Sequence, residues 1–198
     1  MQKFFLIIIV VAFVGCKNQK NIPDVSKIKT PVTIERFEQD FFKIDTNNVS
    51  VSLDSLQKKY PQFLNDYLYN ILGSAPQPDS VVRYVKIFLN GYQSVYKTSQ
   101  NQFPSFNKYQ KQIEQSFQFI HYYFPQYILP KNIITFIGPL DGTANALTSS
   151  GMAVGLQSYL GKDFEGYHSE YISQVYPAYK SRNFEPEYLA VNCVKNII

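Results

Sequence analysis

Apolar residues return with a helical step through most of this chain. Between residues 52 and 72, Leu53, Leu56, Tyr60, Phe63, Leu64, Tyr67, Leu68, Ile71 and Leu72 recur every three or four positions, the spacing that lines one helix face. Pro61 stands where it can open a first turn and Gly73 where it can close a last one, so the pattern predicts two consecutive helices. After the loop Ala75-Pro76-Gln77-Pro78, Asp79 or Ser80 can cap a further helix. Its apolar face is Val82, Val85, Phe88, Leu89, Tyr92 and Tyr96, with Gly91 as a candidate break. Beyond Pro104, the positions Phe106, Tyr109, Ile113, Phe117, Ile120 and Phe124 give the clearest amphipathic helix, stopped by Pro125.

The period changes in the second half. Residues 132–137 are rich in β-branched side chains, Asp141-Gly142 is a turn signal, and residues 147–156 form a second stretch of small and apolar positions. A small sheet of two or three strands is expected there. Tyr171, Ile172, Val175 and Tyr176 then suggest a short helix before Pro177, and Glu185-Pro186 opens a last one with Leu189, Cys193, Val194 and Ile197 facing inward. The fold class expected is α+β, mainly helical, in one globular domain over residues 34–198. Its apolar Ile197-Ile198 end carries no cap or polar tail, so the domain is expected to continue beyond it.

The N-terminus follows a different pattern. Lys3 precedes an unbroken apolar run over residues 4–14, and Phe13-Val14-Gly15-Cys16 follows directly. The run is far short of the roughly 20 residues needed to span a bilayer, so residues 1–15 read as a secretory signal peptide. Gly15-Cys16 resembles the lipobox of bacterial lipoproteins, with Phe13 where leucine is usual. That likeness implies an acylated Cys16 as the first mature residue, anchored to the lipid bilayer through its acyl chains. Each buried methylene contributes about 0.8 kcal/mol, so several chains make the attachment stable. Residues 16–33, polar and interrupted by Pro23 and Pro31, read as a flexible tether. Residues 17–22 contain no acidic residue and so do not resemble the surface-export signals of lipoproteins, which carry acids just after the cysteine; an envelope protein facing the periplasm is expected.

Composition narrows the function further. The 198 residues include 19 Lys+Arg against 15 Asp+Glu, for a net charge of +4. These basic residues are scattered rather than gathered into the stripe a nucleic-acid binder needs. With 16 Phe, 16 Tyr and 45% hydrophobic residues, the chain has ample material for an aromatic core. Only two cysteines occur; Cys16 is committed to lipid, and Cys193 falls in an apolar-periodic segment as a buried thiol. The two histidines, His121 and His168, have no ligand neighbours, and no metal or cofactor is expected. Gly138, Gly142, Gly151 and Gly155 match no phosphate-binding spacing and are read as turn and packing positions. Thr148, Ser149 and Ser150 next to Gly151 lack the nucleophile-elbow pattern. Asp141, Asp163 and Glu165 flank the expected sheet, where they form the best acidic set for a carboxylate pair or cation site, though loop acids are commonly just solvated. No catalytic residue is assigned. Tyr122, Tyr123, Tyr167 and Tyr171 are the candidates for a protein-contact face, because tyrosine offers a large apolar area with a polar tip.

Several short patterns occur together in order: Ile34-Glu35-Arg36-Phe37-Glu38-Gln39-Asp40-Phe41-Phe42, Tyr60-Pro61-Gln62-Phe63, Tyr122-Tyr123-Phe124-Pro125, Tyr159-Leu160-Gly161-Lys162-Asp163, Tyr176-Pro177-Ala178-Tyr179 and Glu185-Pro186-Glu187-Tyr188. In this order, behind a lipobox, they resemble the gliding-motility lipoprotein family GldB of Bacteroidetes over essentially the whole mature chain. The resemblance implies a place in the envelope machinery for gliding, with other gliding or secretion envelope proteins as partners. Family members continue beyond the position of Ile198. The resemblance also implies distant kinship to zinc proteases; the helix over residues 185–198 would hold the metal-binding place, and it contains no histidine. The expected function is therefore non-enzymatic, acting through protein contacts on a non-catalytic, zincin-like scaffold. The alternative is an envelope hydrolase, or a peptide- or ligand-binding module, derived from a peptidase-like fold.

Overall fold

The computed structural model describes residues 22–181 and 183–198. Helices form where the apolar spacing places them. α1 (Phe37–Phe41) and α2 (Val49–Lys59) are followed by α3 (Phe63–Asn65), which widens into a π-helical segment over Asp66–Ile71. Gly73 ends that segment with a φ of +67°, a left-handed conformation that glycine adopts without a Cβ penalty. α4 (Pro78–Gly91) and α5 (Gln93–Gln102) part at Tyr92, next to Gly91 as expected, and α6 (Asn107–Tyr123) is the longest helix among the described residues.

The strands make a mixed four-stranded sheet in the order β1-β2-β4-β3, one strand more than the two or three expected. β2 (Asn132–Phe136) and β4 (Gly151–Gly155) fall in the two stretches marked by composition, β3 (Asn145–Thr148) begins two residues ahead of the second, and Ser149-Ser150 joins β3 to β4 as an antiparallel hairpin. The additional strand is β1 (Thr33–Arg36), which runs parallel to β2 with Thr33 opposite Asn132 and Arg36 opposite Thr135. Only Ile34 is apolar in it, and its partner lies far along the chain, so no local period marks it. β2 and β4 are parallel neighbours buried on both faces, which explains why apolar positions such as Ile133-Ile134 and Met152-Ala153-Val154 follow one another instead of alternating with polar ones.

The stretch expected to be a tether is part of the folded body over its described residues. Val25 and Val32 are buried, and the polar backbone between them finds partners along α6. The Gln118 amide donates to the Ile28 carbonyl at 2.9 Å, Thr30 Oγ1 donates to the Glu114 carbonyl at 2.8 Å, and the Gln110 amide donates to the Val32 carbonyl at 2.9 Å. These bonds compensate for the apolar periodicity that the segment lacks.

The remaining chain closes the other side. α7 (Glu170–Val175) is capped by Ser169, whose hydroxyl accepts from the Ile172 amide, and is followed by α8 (Ala178–Ser181). A 3₁₀ turn over Pro186–Tyr188 leads into α9 (Leu189–Lys195), which packs on α6 through Leu189, Ala190 and Cys193. The centre of the core is aromatic. The Phe37 ring meets the rings of Phe41, Tyr60, Phe63 and Tyr67 at centroid distances from 4.7 to 5.6 Å, three of the four edge-on. Such pairs contribute about 0.5–1.5 kcal/mol each beyond area burial. The fully buried Tyr67 still places its polar tip, donating from its hydroxyl to the Ile137 carbonyl at 2.7 Å.

Candidate functional site

Gly15 and Cys16 lie outside the described residues. The other candidates are scattered. His121 is exposed on the last turn of α6, and His168 is exposed at the end of the 3₁₀ turn Glu165–His168. Asp141 accepts a hydrogen bond from the Tyr171 hydroxyl at 2.6 Å, while Asp163 and Glu165 are exposed. Among the described residues no three His, Cys, Asp or Glu side chains gather closely enough to hold a metal ion. The hydroxyl of Thr148 is occupied within the β3–β4 turn, donating to the Gly151 carbonyl at 3.0 Å and accepting from the Ser150 amide at 3.2 Å. Cys193 is buried as expected, and burial pushes its thiol up to about 12, where it is inert at neutral pH.

An open polar cleft of about 280 Å³ lies beside this turn, lined by Glu35, Lys59, Tyr60, Gln62, Asn132 and Ser149 among others. Neither His nor Cys is among its described lining residues. Two of its lining residues, Lys59 and Tyr60, bond to Asp40. Partial burial pulls that carboxyl upward, but hydrogen bonds from Lys59 Nζ (2.5 Å) and the Tyr60 hydroxyl (2.6 Å), with the Lys59 charge, outweigh burial and hold it below the usual carboxylate range. Asp40 is therefore an ionised clip between α1 and α2 rather than an acid-base group.

The buried carboxylate of Glu38 had no sequence signal beyond the spacing Arg36-Phe37-Glu38. It is fully enclosed, yet both of its oxygens are engaged: Arg36 Nε lies 2.5 Å from Oε1, and Thr135 Oγ1 donates to Oε2. The guanidinium also reaches the Phe103 carbonyl at 3.2 Å and Gln100 Oε1 at 3.4 Å, and stands 5.7 Å from the centre of the Phe106 ring. This network fastens β1 and α1 to β2 and α5. With its polar atoms engaged in that work, it is a clamp on the N-terminal strand.

The tyrosine candidates separate into two groups. Tyr167 is corrected: only 3% exposed, it donates to the Gln157 carbonyl at 2.6 Å and accepts from the Leu160 amide at 3.2 Å, so it is a core residue that cannot meet a partner. Helical spacing does not describe it because its segment is a 3₁₀ turn that turns the ring inward. Tyr171 is 60% exposed on α7, with Val175 and Tyr179 also exposed nearby in sequence. Tyr122 and Tyr123 are exposed at the end of α6 and open a longer apolar strip that includes Phe124, Tyr127 and Ile128, the last 94% exposed. Phe124, expected on the buried face, lies outside because α6 stops at Tyr123, ahead of Pro125.

Among the described residues no helix is long and apolar enough to cross a membrane. The family model described as gliding motility protein GldB matches residues 18–198. No curated protein and no solved structure matches the chain.

Proposed function

This chain belongs to the GldB family of gliding motility proteins, and from that premise we propose that it is a non-enzymatic lipoprotein, anchored through Cys16 and facing the periplasm, that supports the gliding machinery through protein contacts. The observation that carries this reading is the family match over residues 18–198, immediately downstream of Gly15-Cys16. Support for a non-catalytic role comes from the chemistry of the polar groups. Glu38, Asp40 and Thr148 are occupied in fastening the fold. Protein contact falls to the exposed face of α7 and α8, where Tyr171 is held by Asp141 with its ring free to be covered.

The test is genetic. An allele carrying Cys16→Ala should abolish spreading, as should Tyr171→Ser with Tyr179→Ser if that face meets the machinery. A combined Asp163→Asn, Glu165→Gln, His121→Gln allele, folded normally and with the contact face untouched, should still spread. Spreading by the Cys16→Ala allele would overturn the anchor reading, and loss of spreading only in the combined allele would favour chemistry instead.

A further inference from the structure

The point where the chain enters the domain and the exposed apolar strip lie at the same end of the molecule. Ile28 is held by Gln118, and a turn closed by the Ile28 amide on the Val25 carbonyl at 2.9 Å keeps Val25 beside it. Gln118 and Tyr122 are four residues apart on α6, hence neighbours on one helix face. The loop carrying Tyr127 and Ile128 comes back to the same segment, because the Thr33 amide donates to the Lys131 carbonyl at 2.8 Å. Residues 25–33, the last turn of α6 and the loop over residues 124–131 therefore converge.

Cys16 stands six positions before Ile22. Even a fully extended chain covers only about 3.3–3.6 Å per residue, so the anchor lies within about 20 Å of Ile22 whatever its path. The strip is thus held close to whatever surface the anchor enters. Its chemistry suits a membrane interface: Tyr122, Tyr123, Phe124, Tyr127 and Ile128 combine apolar bodies with the phenol tips that favour the headgroup level. Lys27, Lys29 and Lys131 are exposed around it, and Lys17 and Lys20 lie in the linking sequence. Against them stands one acid of the entering segment, Asp24, whose carboxylate already accepts from the Ser26 amide at 3.0 Å. Lys29 and Lys131 also flank a groove of about 310 Å³ lined by Phe117, Leu129, Pro31 and Pro130, a basic rim over an apolar floor.

We propose that the strip from Tyr122 to Ile128, with its lysine rim, lies on the anionic lipid bilayer that Cys16 enters, fixing the domain's orientation rather than leaving it to swing on the anchor. This inference rests on the anchor reading above. The orientation it sets turns the other surfaces of the domain in a defined direction toward partners.

The chain contains no tryptophan, so a single introduced indole reports without background. The acylated full-length protein carrying Ile128→Trp or Tyr123→Trp would be reconstituted into phosphatidylethanolamine and phosphatidylglycerol vesicles with brominated acyl chains. Ile87→Trp on α4, at a position about as exposed as Tyr123, serves as comparison. Both strip variants should float with the vesicles, shift to the blue and lose about half or more of their emission, while the α4 variant keeps its own. Flotation without quenching at either strip position would overturn the bilayer assignment, leave the anchor intact and give the strip to a protein partner. Failure of every variant, and of the unaltered chain, to float would overturn the anchor reading and this inference with it. Unchanged circular dichroism of the variants ties each result to position rather than to misfolding.

Discussion

Two aromatic regions of this molecule use the same residue types for opposite ends. Around Phe37 the rings of Tyr60, Phe63 and Tyr67 pack edge to face and that of Phe41 is stacked, and the buried hydroxyl of Tyr67 has its own acceptor. At the end of α6, Tyr122 and Tyr123 touch edge-on at 5.0 Å, and Phe124 meets Tyr127 in the same way at 5.8 Å, but this cluster is open to solvent. The difference teaches that ring pairing alone does not make a core. What separates the two is whether neighbouring elements cover the rings, and past Tyr123 the helix has ended.

The comparison can be broken from the inside first. Phe37→Ala removes a fully enclosed ring with four aromatic neighbours, so the full chain should lose about 3–5 kcal/mol of stability in urea unfolding. A loss near zero would mean that the cluster is not the centre of the core. Arg36→Met should cost about 3 kcal/mol, because it leaves the enclosed Glu38 carboxylate without its cation. A companion variant, Arg36→Met with Glu38→Leu, should recover much of that loss, which separates the stranded charge from lost packing.

A smaller effect is expected at Asp40. Its pKa is depressed in the folded chain, so its contribution is present above the unfolded carboxylate value and is lost as pH falls through the lower folded one. Asp40→Asn should therefore cost up to about 1 kcal/mol at neutral pH, given its partly exposed partners. The gap to the unaltered chain should close in acid; a gap that widened there would contradict the assignment. The smallest change in stability belongs to the open cluster, where Tyr122→Ser with Tyr123→Ser should stay within about 0.5 kcal/mol by thermal unfolding. A loss comparable to that of Phe37→Ala would erase the contrast between the two regions.

Much of the helical frame was legible because long helices write their buried face directly into the spacing. Tyr109, Ile113, Phe117 and Ile120 of α6 are all buried as the period requires, and Gly91 marks the break between α4 and α5. β1 was not legible, since a four-residue strand with one apolar side chain takes its identity from β2, far away in the chain. Nor was the Glu38 clamp, whose Arg and Thr partners meet only when that strand is in place. For the tyrosines, sequence supplied the residue type but not the side. Tyr171 and Tyr122 are outside and Tyr167 is inside because a 3₁₀ turn, invisible to helical periodicity, sets its direction. The lipobox has no structural counterpart among the described residues, and its reading rests on Gly15-Cys16 and the apolar run before them.

The central proposal is that this GldB family member is held to a membrane through Cys16. Metabolic labelling with a radiolabelled fatty acid, comparing the unaltered chain with Cys16→Ala and followed by membrane fractionation, tests it most directly. The account predicts label on the unaltered protein in the membrane fraction, and an unlabelled Cys16→Ala protein released from it. An unlabelled protein that still fractionates with membranes in both forms would contradict it.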